Sequence, residues 1–262
     1  MRTALTIAGS DSGGGAGIQA DLKTFAACGV YGTSAVTAVT AQNTRGVTAW
    51  EAVSTELVIA QIEAVGADLP PAAVKTGMLA TASIVEAVAA TIAELDLPNL
   101  VVDPVMIAKG GDRLLLEDAV AAMTTKLLKL AEVVTPNISE AEVLSGSPVR
   151  TLDDMRAAAR RIRKLGPRVV VVKGGHLPLD GFAIDVVCTP DAEFEVRGPW
   201  IETRHTHGTG CTFAAAIAAY LAIGQPVTEA VHSARAYLEG AIRHAPALGG
   251  GHGPLNHFWR LY

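Results

Sequence analysis

Cysteine is scarce in this sequence: Cys28, Cys188 and Cys211 are the only three among 262 residues, and no two of them form a Cys-x-x-Cys pair. Widely spaced thiols of this kind offer no disulfide framework, so they favour a reducing compartment. Long apolar runs are also missing, since the first run, Ala4–Ala8, ends directly in a glycine turn. That run is too short for a signal-peptide core or a membrane span, so we expect a cytoplasmic protein with no membrane partner.

A surplus of positive charge is absent as well, because 21 Lys and Arg face 26 Asp and Glu, for a formal net charge of −5. This balance excludes a broad cationic surface for nucleic acid, although a small anionic substrate needs only a few local donors. Half of the residues are hydrophobic, which excludes disorder of the whole chain and supplies a large core. No low-complexity linker or internal repeat divides the chain, so we expect a single domain over residues 1–262.

Short apolar runs alternate with amphipathic stretches such as Phe213–Leu221, and this alternation predicts an α/β fold with helices on both faces of a mostly parallel central sheet. The runs predicted as buried strands are Ala4–Ala8, Thr33–Thr40, Ala73–Thr76, Leu100–Val102, Glu132–Thr135 and Val169–Val172. Two pieces depart from the alternation. Thr48–Val53 is strand-like and follows another strand closely, while Phe182–Cys188 and Glu193–Val196 predict an antiparallel pair.

A glycine-rich loop, residues 9–17, follows the first predicted strand and reads Gly-Ser-Asp-Ser-Gly-Gly-Gly-Ala-Gly. Its glycines let a ligand approach the backbone closely. The loop is not a P-loop, because no Lys-Ser/Thr follows the glycines, and it does not fit Gly-x-Gly-x-x-Gly either. A tight strand-to-helix turn remains the alternative interpretation.

A second glycine-rich loop, residues 206–212, leads into the predicted helix at Phe213–Leu221. Small residues at a helix start leave backbone N–H groups free to bind an anion, and the charge on a transferring phosphoryl group suits such a site. Cys211 lies at this helix start, where the pKa of a thiol is expected to fall; the alternative is a buried structural cysteine. His205 and His207 form a His-x-His, but no third ligand accompanies them, so a metal site there is not expected.

Charged and amide side chains follow three other predicted strands. Asp103 comes directly after Leu100–Val102 and is kept extended by the next proline. Asn137 and Glu140 have either the spacing of a helix cap or a metal role. Lys173 is either a phosphate partner or a side chain that extends to solvent at the sheet edge. Together with the anion site, oxygen ligands and a lysine predict a nucleotide-dependent kinase.

The motifs, taken in order, resemble those of hydroxymethylpyrimidine/phosphomethylpyrimidine kinase. They are Ala8–Ser12, Gly17–Asp21, Thr40–Thr44, Gly77–Leu79, Asp103–Met106, Pro136–Ala141, Val172–His176 and His207–Thr212. The resemblance runs from residue 4 to about residue 240. It implies a ribokinase-like fold with a small β lid, ATP and Mg²⁺ as cofactors, and a homodimer. The implied activity is phosphorylation of 4-amino-5-hydroxymethyl-2-methylpyrimidine and then of its monophosphate, in thiamine biosynthesis.

The resemblance also implies roles for particular residues. Gln42 is expected to hydrogen-bond the pyrimidine, since an amide both donates and accepts. The other residues implied for that pocket are Asp21, Gly9, Met78 and Val105, although Asp21 by itself is a weak signal, because exposed helical charges need no function. The implied Mg²⁺ ligands are Asp103 and Glu140.

The remaining implied roles concern phosphoryl transfer. The residues implied for nucleotide binding are Asn137, Lys173, Thr209 and Gly210. Those implied for catalysis are Cys211, Gly208, Gly210 and Lys173. Cys211 stands where many relatives with a ribokinase-like fold have a catalytic aspartate. Two other functions stay open: a pyridoxal or pyridoxine kinase of the same fold, and a non-catalytic regulator that binds a nucleotide or a vitamin.

Overall fold

The structure is a computed structural model that describes residues 1–106, 117–175 and 181–261, so His176 of the motifs above lies outside it. The strands in these ranges are β1 (Thr3–Ala8), β2 (Tyr31–Val36), β3 (Ala38–Asn43), β4 (Gly46–Ala52), β5 (Ala73–Thr76), β6 (Leu100–Val102), β7 (Val133–Val134), β8 (Val169–Val172), β9 (Phe182–Cys188) and β10 (Glu193–Pro199). The α-helices are α1 (Gly17–Ala27), α2 (Thr55–Asp68), α3 (Ala82–Glu94), α4 (Glu117–Ala122), α5 (Ile138–Ser145), α6 (Leu152–Arg163), α7 (Thr209–Ala222) and α8 (Val227–Arg243). After α4 come a π-helical turn (Met123–Leu127) and a 3-10 turn (Leu128–Leu130).

Eight of these strands form one sheet in the order β10-β9-β8-β7-β6-β5-β1-β2. Pairing is parallel from β2 through to β8, whereas β9 runs antiparallel to both β8 and β10. The mostly parallel sheet and the antiparallel pair confirm two predictions made from the sequence. Parallel pairing brings the carboxyl ends of β1, β5, β6, β7 and β8 to one edge, which is where ligands bind in open α/β sheets.

Separate hydrophobic cores cover the two faces of the sheet, as predicted. Val170 and Val172 of β8 belong to the core with α2 to α6, and Val169 and Val171 belong to the core with α1, α7 and α8. Side chains alternate between faces along a strand, so a strand buried on both sides is apolar throughout. Every residue from Thr212 to Ala222 in α7 is buried. The start of α7 is therefore held rigidly at the edge of the sheet.

The predicted strand Thr33–Thr40 is wrong in one respect, because the chain leaves the main sheet at Thr37. β2 ends before this residue, and β3 begins a separate two-stranded sheet. Thr37 is fully buried, its N–H donates to the carbonyl of Ala8 at 3.0 Å, and its hydroxyl donates to the carbonyl of Met78 at 2.6 Å. These tertiary hydrogen bonds redirect the chain, and the β-branched residues around Thr37 give no local sign of them.

The separate sheet of β3 and β4 is a small antiparallel lid, with a register shift between Ala41 and Gln42. Its tip touches the C-terminal segment, since the N–H of His252 donates to the carbonyl of Thr44 at 2.8 Å. The expected β lid is thus present. No helix in the described part of the chain is long and apolar enough to cross a bilayer.

Candidate active site

The residues that directly follow the parallel strands meet at one edge of the sheet. Gly9 follows β1, Gly77 follows β5, Asp103 follows β6, Thr135 follows β7 by sequence, and Lys173 follows β8. The hydroxyl of Thr135 lies 3.4 Å from Oδ1 of Asp103, so neighbouring strand ends are in contact through their side chains. Polar residues that follow different strands in the sequence, such as Asp103 and Thr135, are therefore in contact at this edge of the sheet.

The first glycine loop, residues 9–17, is folded around the carboxylate of Asp11. Its Oδ1 accepts the N–H of Gly13 at 2.8 Å, and its Oδ2 accepts the N–H groups of Gly15 at 3.0 Å and Ala16 at 2.8 Å. Burial works to raise the pKa of Asp11, but the hydrogen bond and charge of His207 and these backbone donors outweigh it, so the pKa is lowered. The loop is a tight strand-to-helix turn, and Asp11 is its internal anchor.

The second glycine loop, residues 206–212, ends at the start of α7. Gly208 is the N-cap residue, with a left-handed φ of 82°, and no side chain caps the helix. The N–H groups of an uncapped first turn are available to an anion, and the helix dipole favours negative charge there. No side chain therefore caps this helix start, although the N–H of Thr209 donates to the carbonyl of Thr206 at 3.4 Å, and anion binding by Gly208, Thr209, Gly210 and Cys211 stays a prediction.

A contact between the two glycine loops was not predicted from the sequence. Nε2 of His207 lies 2.7 Å from Oδ2 of Asp11, and both side chains are at least nine-tenths buried. The main chains also touch, because a Cβ atom on Gly208 would overlap the carbonyl oxygen of Gly15. The available signal was an acidic residue three positions after the end of the first strand. Its partner, 196 positions away, has no signature in the sequence.

The Lys173 ammonium group lies at the start of α7. Nζ of Lys173 donates to Oδ1 of Asp103 at 2.8 Å, and a Cβ atom on Gly210 would lie 3.3 Å from that Nζ and 3.5 Å from Oδ2 of Asp103. Burial lowers the pKa of Lys173, but the carboxylates of Asp103 and Glu140 raise it by more than burial lowers it. The pKa of Lys173 is therefore raised overall. Lys173 therefore keeps a charge beside the anion site instead of extending to solvent, and the snorkelling alternative is wrong.

Asn137 and Glu140 form the capping box of α5, which confirms one of the two alternatives left open. The N–H of Glu140 donates to Oδ1 of Asn137 at 2.9 Å, and the N–H of Asn137 donates to Oε2 of Glu140 at 2.8 Å. Burial raises the pKa of Glu140 to about 7; Lys173 opposes this shift and Asp103 adds to it. The capping carboxylate thus lies within electrostatic reach of both the lysine and the strand-end aspartate.

Asp103 and Glu140 are the two acids implied as ligands of Mg²⁺. The described residues contain no group of three or more His, Cys, Asp or Glu side chains that could hold a metal ion by themselves. Mg²⁺ usually takes only one or two carboxylates and completes its shell with water and substrate phosphates. Asp103, which lies near Gly210 at the start of α7, and Glu140, which interacts electrostatically with Asp103, fit that preference and are the residues that would hold the ion.

Gln42 lies on β3 in the lid, where the register shift ends, and its side chain is half-buried. The N–H of Gln42 donates to Oγ of Ser12 at 2.7 Å, and the same hydroxyl donates to the carbonyl of Gln42 at 2.8 Å. Oε1 of Gln42 accepts from the hydroxyl of Thr40 at 3.2 Å, which leaves its amide NH₂ for a ligand. The lid is therefore joined to the first glycine loop at the residue implied for pyrimidine binding.

Gly9 and Met78 lie beside each other at the base of this region. The N–H of Gly9 donates to the carbonyl of Met78 at 3.1 Å, and a Cβ atom on Gly9 would lie 3.4 Å from Sδ of Met78. Val105 is half-buried, and its N–H donates to the carbonyl of Asp103 at 2.8 Å. The structure thus brings Gly9 close to Met78, whereas Val105 contacts Asp103, and its role in the pyrimidine pocket stays a prediction.

Asp21 is not an exposed helical charge but half of a fully buried ion pair. Its Oδ2 accepts from Nζ of Lys75 at 2.8 Å and from the hydroxyl of Thr6 at 2.6 Å. Burial raises the pKa of Asp21, while Lys75 opposes that shift. The expectation that Asp21 is a weak signal is corrected here, and Lys75 was missed. Its signal was a lysine inside the short apolar strand β5, where a charge requires a partner.

The expectation of a lowered pKa at Cys211 is wrong. Burial raises the pKa of this thiol to about 11; Lys75 and the N–H of Gly17 lower it, and the charges of Asp21 and Asp103 raise it. The N-terminus of α7 favours the thiolate, but packing around the sulfur and two nearby carboxylates favour the thiol. Cys211 is therefore a neutral thiol at pH 7, at the meeting point of α1 and α7.

The fold and the site together define a class of protein. A mostly parallel sheet with helices on both faces, a β lid and an uncapped glycine-rich helix start beside a lysine–aspartate pair is the architecture of small-molecule kinases with the ribokinase-like fold. Residues 11–256 match the family model described as phosphomethylpyrimidine kinase, and the chain belongs to this family.

Among curated relatives, the hydroxymethylpyrimidine/phosphomethylpyrimidine kinase of Bacillus subtilis is 48% identical over 97% of this chain and 94% of its own length. The thiamine biosynthesis bifunctional protein ThiED of Geobacter sulfurreducens is 52% identical over 97% of this chain, which spans about half (51%) of that longer protein.

Solved structures agree with the family assignment. The ADP complex of Bacillus subtilis pyridoxal kinase matches with a TM-score of 0.93 and 41% identity, covering 100% of both chains. Phosphomethylpyrimidine kinase from Clostridium difficile matches with a TM-score of 0.82 and 44% identity, covering 92% of this chain and 100% of that one.

Proposed function

We propose that this protein is an ATP-dependent kinase of thiamine biosynthesis. It phosphorylates 4-amino-5-hydroxymethyl-2-methylpyrimidine and then the resulting monophosphate, at one site. The observation that carries the proposal is the uncapped start of α7 beside the Lys173–Asp103 pair, with the lid residue Gln42 joined to the first glycine loop through Ser12. Relatives that carry this activity in their names, at 48% identity over nearly the full chain, support it.

ATP and Mg²⁺ are the proposed cofactors. The ADP complex of the pyridoxal kinase neighbour supports the nucleotide. Asp103 and Glu140 would hold Mg²⁺, which would supply positive charge against the negative charge of the phosphates. Asn137, with its amide NH₂, and Thr209, at the start of α7, contact the nucleotide phosphates.

In the proposed mechanism the chain mainly positions groups and stabilises charge. The N–H groups of Gly208 to Cys211 and the ammonium of Lys173 face the transferring phosphoryl group, where negative charge develops. Gln42 orients the pyrimidine through its ring nitrogen and amine, so that the hydroxymethyl oxygen points to the same place.

Cys211 is proposed to accept the proton of the substrate hydroxyl. Because its pKa is about 11 in the ligand-free protein, this role requires that the thiol lose its proton before transfer. The alternative is that Cys211 stays a thiol and lines the pocket, as a weak hydrogen-bond partner of the hydroxyl.

We also propose one domain over residues 1–262, a cytoplasmic location and a homodimer. The three free cysteines support a reducing compartment.

Exposed apolar side chains on the lid, Val39 and Trp50, at 57% and 45% exposure, support a second copy of the chain as partner. Sedimentation equilibrium measures the state, and a monomer at all concentrations contradicts the dimer.

The test is incubation of purified protein with the hydroxymethylpyrimidine, excess ATP and Mg²⁺, with products identified by mass. The monophosphate should appear first and then decline as the diphosphate accumulates. A reaction that stops at the monophosphate after prolonged incubation contradicts the second phosphorylation. An absence of ATP turnover with every substrate offered contradicts the kinase and leaves a non-catalytic binding protein.

Pyridoxal is the second candidate substrate, because the match to Bacillus subtilis pyridoxal kinase covers both chains completely. The same assay with pyridoxal or pyridoxine decides between the two. We expect the larger kcat/KM for the pyrimidine, and the reverse order would make the protein a pyridoxal kinase first.

A further inference from the structure

We propose that Asp11 and His207 are a positioning pair for phosphoryl transfer, which sets the distance between the first glycine loop and the second. The inference rests on the proposed kinase function, because the second loop is the proposed phosphoryl site. Both residues lie in motifs that carry the family resemblance, but the resemblance assigns a role to neither. Their role follows from contacts that join two segments 196 positions apart in the chain.

Asp11 is saturated by donors from both loops. Its Oδ2 accepts the N–H of Gly15, the N–H of Ala16 and Nε2 of His207, at 3.0, 2.8 and 2.7 Å. The side chain of Asp11 is 1% exposed, and that of His207 is 10% exposed. If a buried carboxylate loses one of its donors, its oxygen is left with neither that partner nor water, and the folded state loses free energy. The observed geometry of the pair is therefore strongly preferred.

The two glycine loops are closely packed around this pair. A Cβ atom on Gly15 would lie 2.5 Å from Cδ2 of His207, and one on Gly208 would overlap the carbonyl oxygen of Gly15. The loops therefore touch through backbone, and His207 fills the space beside Gly15. A change at His207 reaches Gly208, the N-cap of α7, directly.

His207 is also held from its other side. Its N–H donates to the carbonyl of Gly253 at 3.1 Å, and the residue forms a parallel bridge with Pro254. Asp11 is held in turn, because its own N–H donates to Oε1 of Gln19 at 2.8 Å. Each residue is therefore anchored to its own surroundings, and the side-chain contact links the two anchored segments.

The consequence concerns both substrates. The first loop carries the lid through Ser12 and Gln42, while the second carries the N–H groups that face the phosphoryl group. Loss of the pair should shift the hydroxyl group of the bound pyrimidine, which accepts the phosphoryl group, relative to the N–H donors of the second loop. The pyrimidine site and the ATP site should each stay intact. A displacement of about 1 Å costs on the order of 10²-fold in rate, and that cost falls on kcat.

Two substitutions at one position test the pair. His207→Gln keeps an N–H donor near the place of Nε2, and His207→Leu has a similar size without a donor. We expect His207→Leu to lower kcat roughly 10- to 100-fold while the KM values for pyrimidine and ATP change less than about threefold. His207→Gln should recover most of the loss. Asp11→Asn, which removes the charge and sets an amide NH₂ against an N–H donor of the first loop, should lower kcat at least as much as His207→Leu.

The double variant Asp11→Asn/His207→Leu should lose less activity than the two single losses combined, because both changes act on the same contact, although Asp11→Asn also disturbs the N–H donors of the first loop. Equal losses for His207→Gln and His207→Leu overturn the proposal. So does a folded His207→Leu variant with a lower Tm and an unchanged kcat, which would make the pair structural only.

A second measurement does not depend on the substrate. Cys211 belongs to the second loop, and the N–H of Gly17 at the end of the first loop hydrogen-bonds its sulfur, so separation of the loops should expose a thiol that is now only partly accessible. We expect iodoacetamide to modify Cys211 several-fold faster in His207→Leu than in the wild type or His207→Gln, measured by peptide mass. Cys28 and Cys188 in the same digest are internal controls. If the wild type phosphorylates no substrate, the proposed function fails, yet unequal Cys211 rates still support the pair and equal rates overturn it.

Discussion

Nζ of Lys173 lies 2.8 Å from Oδ1 of Asp103, and this contact joins the ends of two strands, β8 and β6, that are not neighbours in the sheet. The aspartate is 2% exposed and the lysine 15%. An ion pair this deeply buried is costly to break, because removing one partner leaves the other charge without compensation. In the proposed reaction, Lys173 of this pair would balance the negative charge that develops on the phosphoryl group.

Asp103→Asn should lower kcat at least about tenfold, or ~1.4 kcal/mol, with the largest loss at limiting Mg²⁺. The amide keeps the shape and one acceptor for Lys173 but removes the charge that would hold the metal ion. Initial rates across a Mg²⁺ titration measure the effect. Asp68→Asn, at an exposed acid at the end of α2, is the matched control. Normal turnover of a folded Asp103→Asn variant at limiting Mg²⁺ would make Asp103 a structural residue only.

Gln42→Leu should raise the KM for the pyrimidine and leave the apparent KM for ATP nearly unchanged. Leucine has similar bulk, but it leaves the polar edge of the bound ring without a partner, a loss on the order of 1–3 kcal/mol. The backbone contacts with Ser12 do not involve the side chain, so the lid should stay in place. Steady-state kinetics with each substrate varied in turn decide the matter. Equal weakening for both substrates would place Gln42 outside the pyrimidine pocket.

Cys211→Ala should lower kcat on the order of 10²- to 10⁴-fold if the thiol accepts the substrate proton. The backbone donors of Gly208 to Cys211 survive the change, so ATP binding should persist. Cys211→Asp places a carboxylate in the same position and should keep more activity than Cys211→Ala. A folded Cys211→Ala variant with nearly wild-type kcat would leave Cys211 as pocket lining, with the anion site unaffected.

The raised pKa of Cys211 has its own test in the ligand-free protein. Thiolate is the reactive form, so alkylation at Cys211 should be slow near neutral pH and should accelerate until the pH reaches about 11. Peptide mass measures the rate at each pH. A rate that reaches its plateau near neutral pH would restore the lowered pKa expected from the sequence.

Glu140→Gln should make the ligand-free protein less sensitive to alkaline pH. The pKa of Glu140 is about 7 in the folded protein against an ordinary value of 4.5. A raised carboxyl pKa stabilises the fold fully below 4.5, and this contribution disappears as the pH rises through 7. Glutamine keeps the capping box with Asn137 but cannot ionise.

The difference between the Tm of Glu140→Gln and the Tm of the wild type should therefore increase by roughly 3–8 °C, in favour of the variant, between about pH 5 and about pH 8. Thermal unfolding followed by circular dichroism at several pH values measures the difference. Two curves that stay parallel across this range would show that Glu140 ionises normally.

Much of the fold follows from local patterns in the sequence. Four consecutive valines, Val169–Val172, can be buried only in a strand covered on both faces, and β8 is such a strand. The glycine-rich start of α7 is equally readable, because small residues without a capping side chain leave N–H groups free. The spacing of Asn137 and Glu140 predicts their capping box, since both residues belong to one helix start.

Only the tertiary structure decided the remaining features, and each depends on a partner distant in the chain. Asp11 meets His207 across 196 positions, and Asp21 meets Lys75 across 54. The break at Thr37 depends on carbonyl groups at the ends of other segments. The pKa of Cys211 rises because folding buries its sulfur near two carboxylates, against the local effect of the helix start. Sequence periodicity reports which face a residue takes within its own element, whereas desolvation and charge depend on which elements pack together.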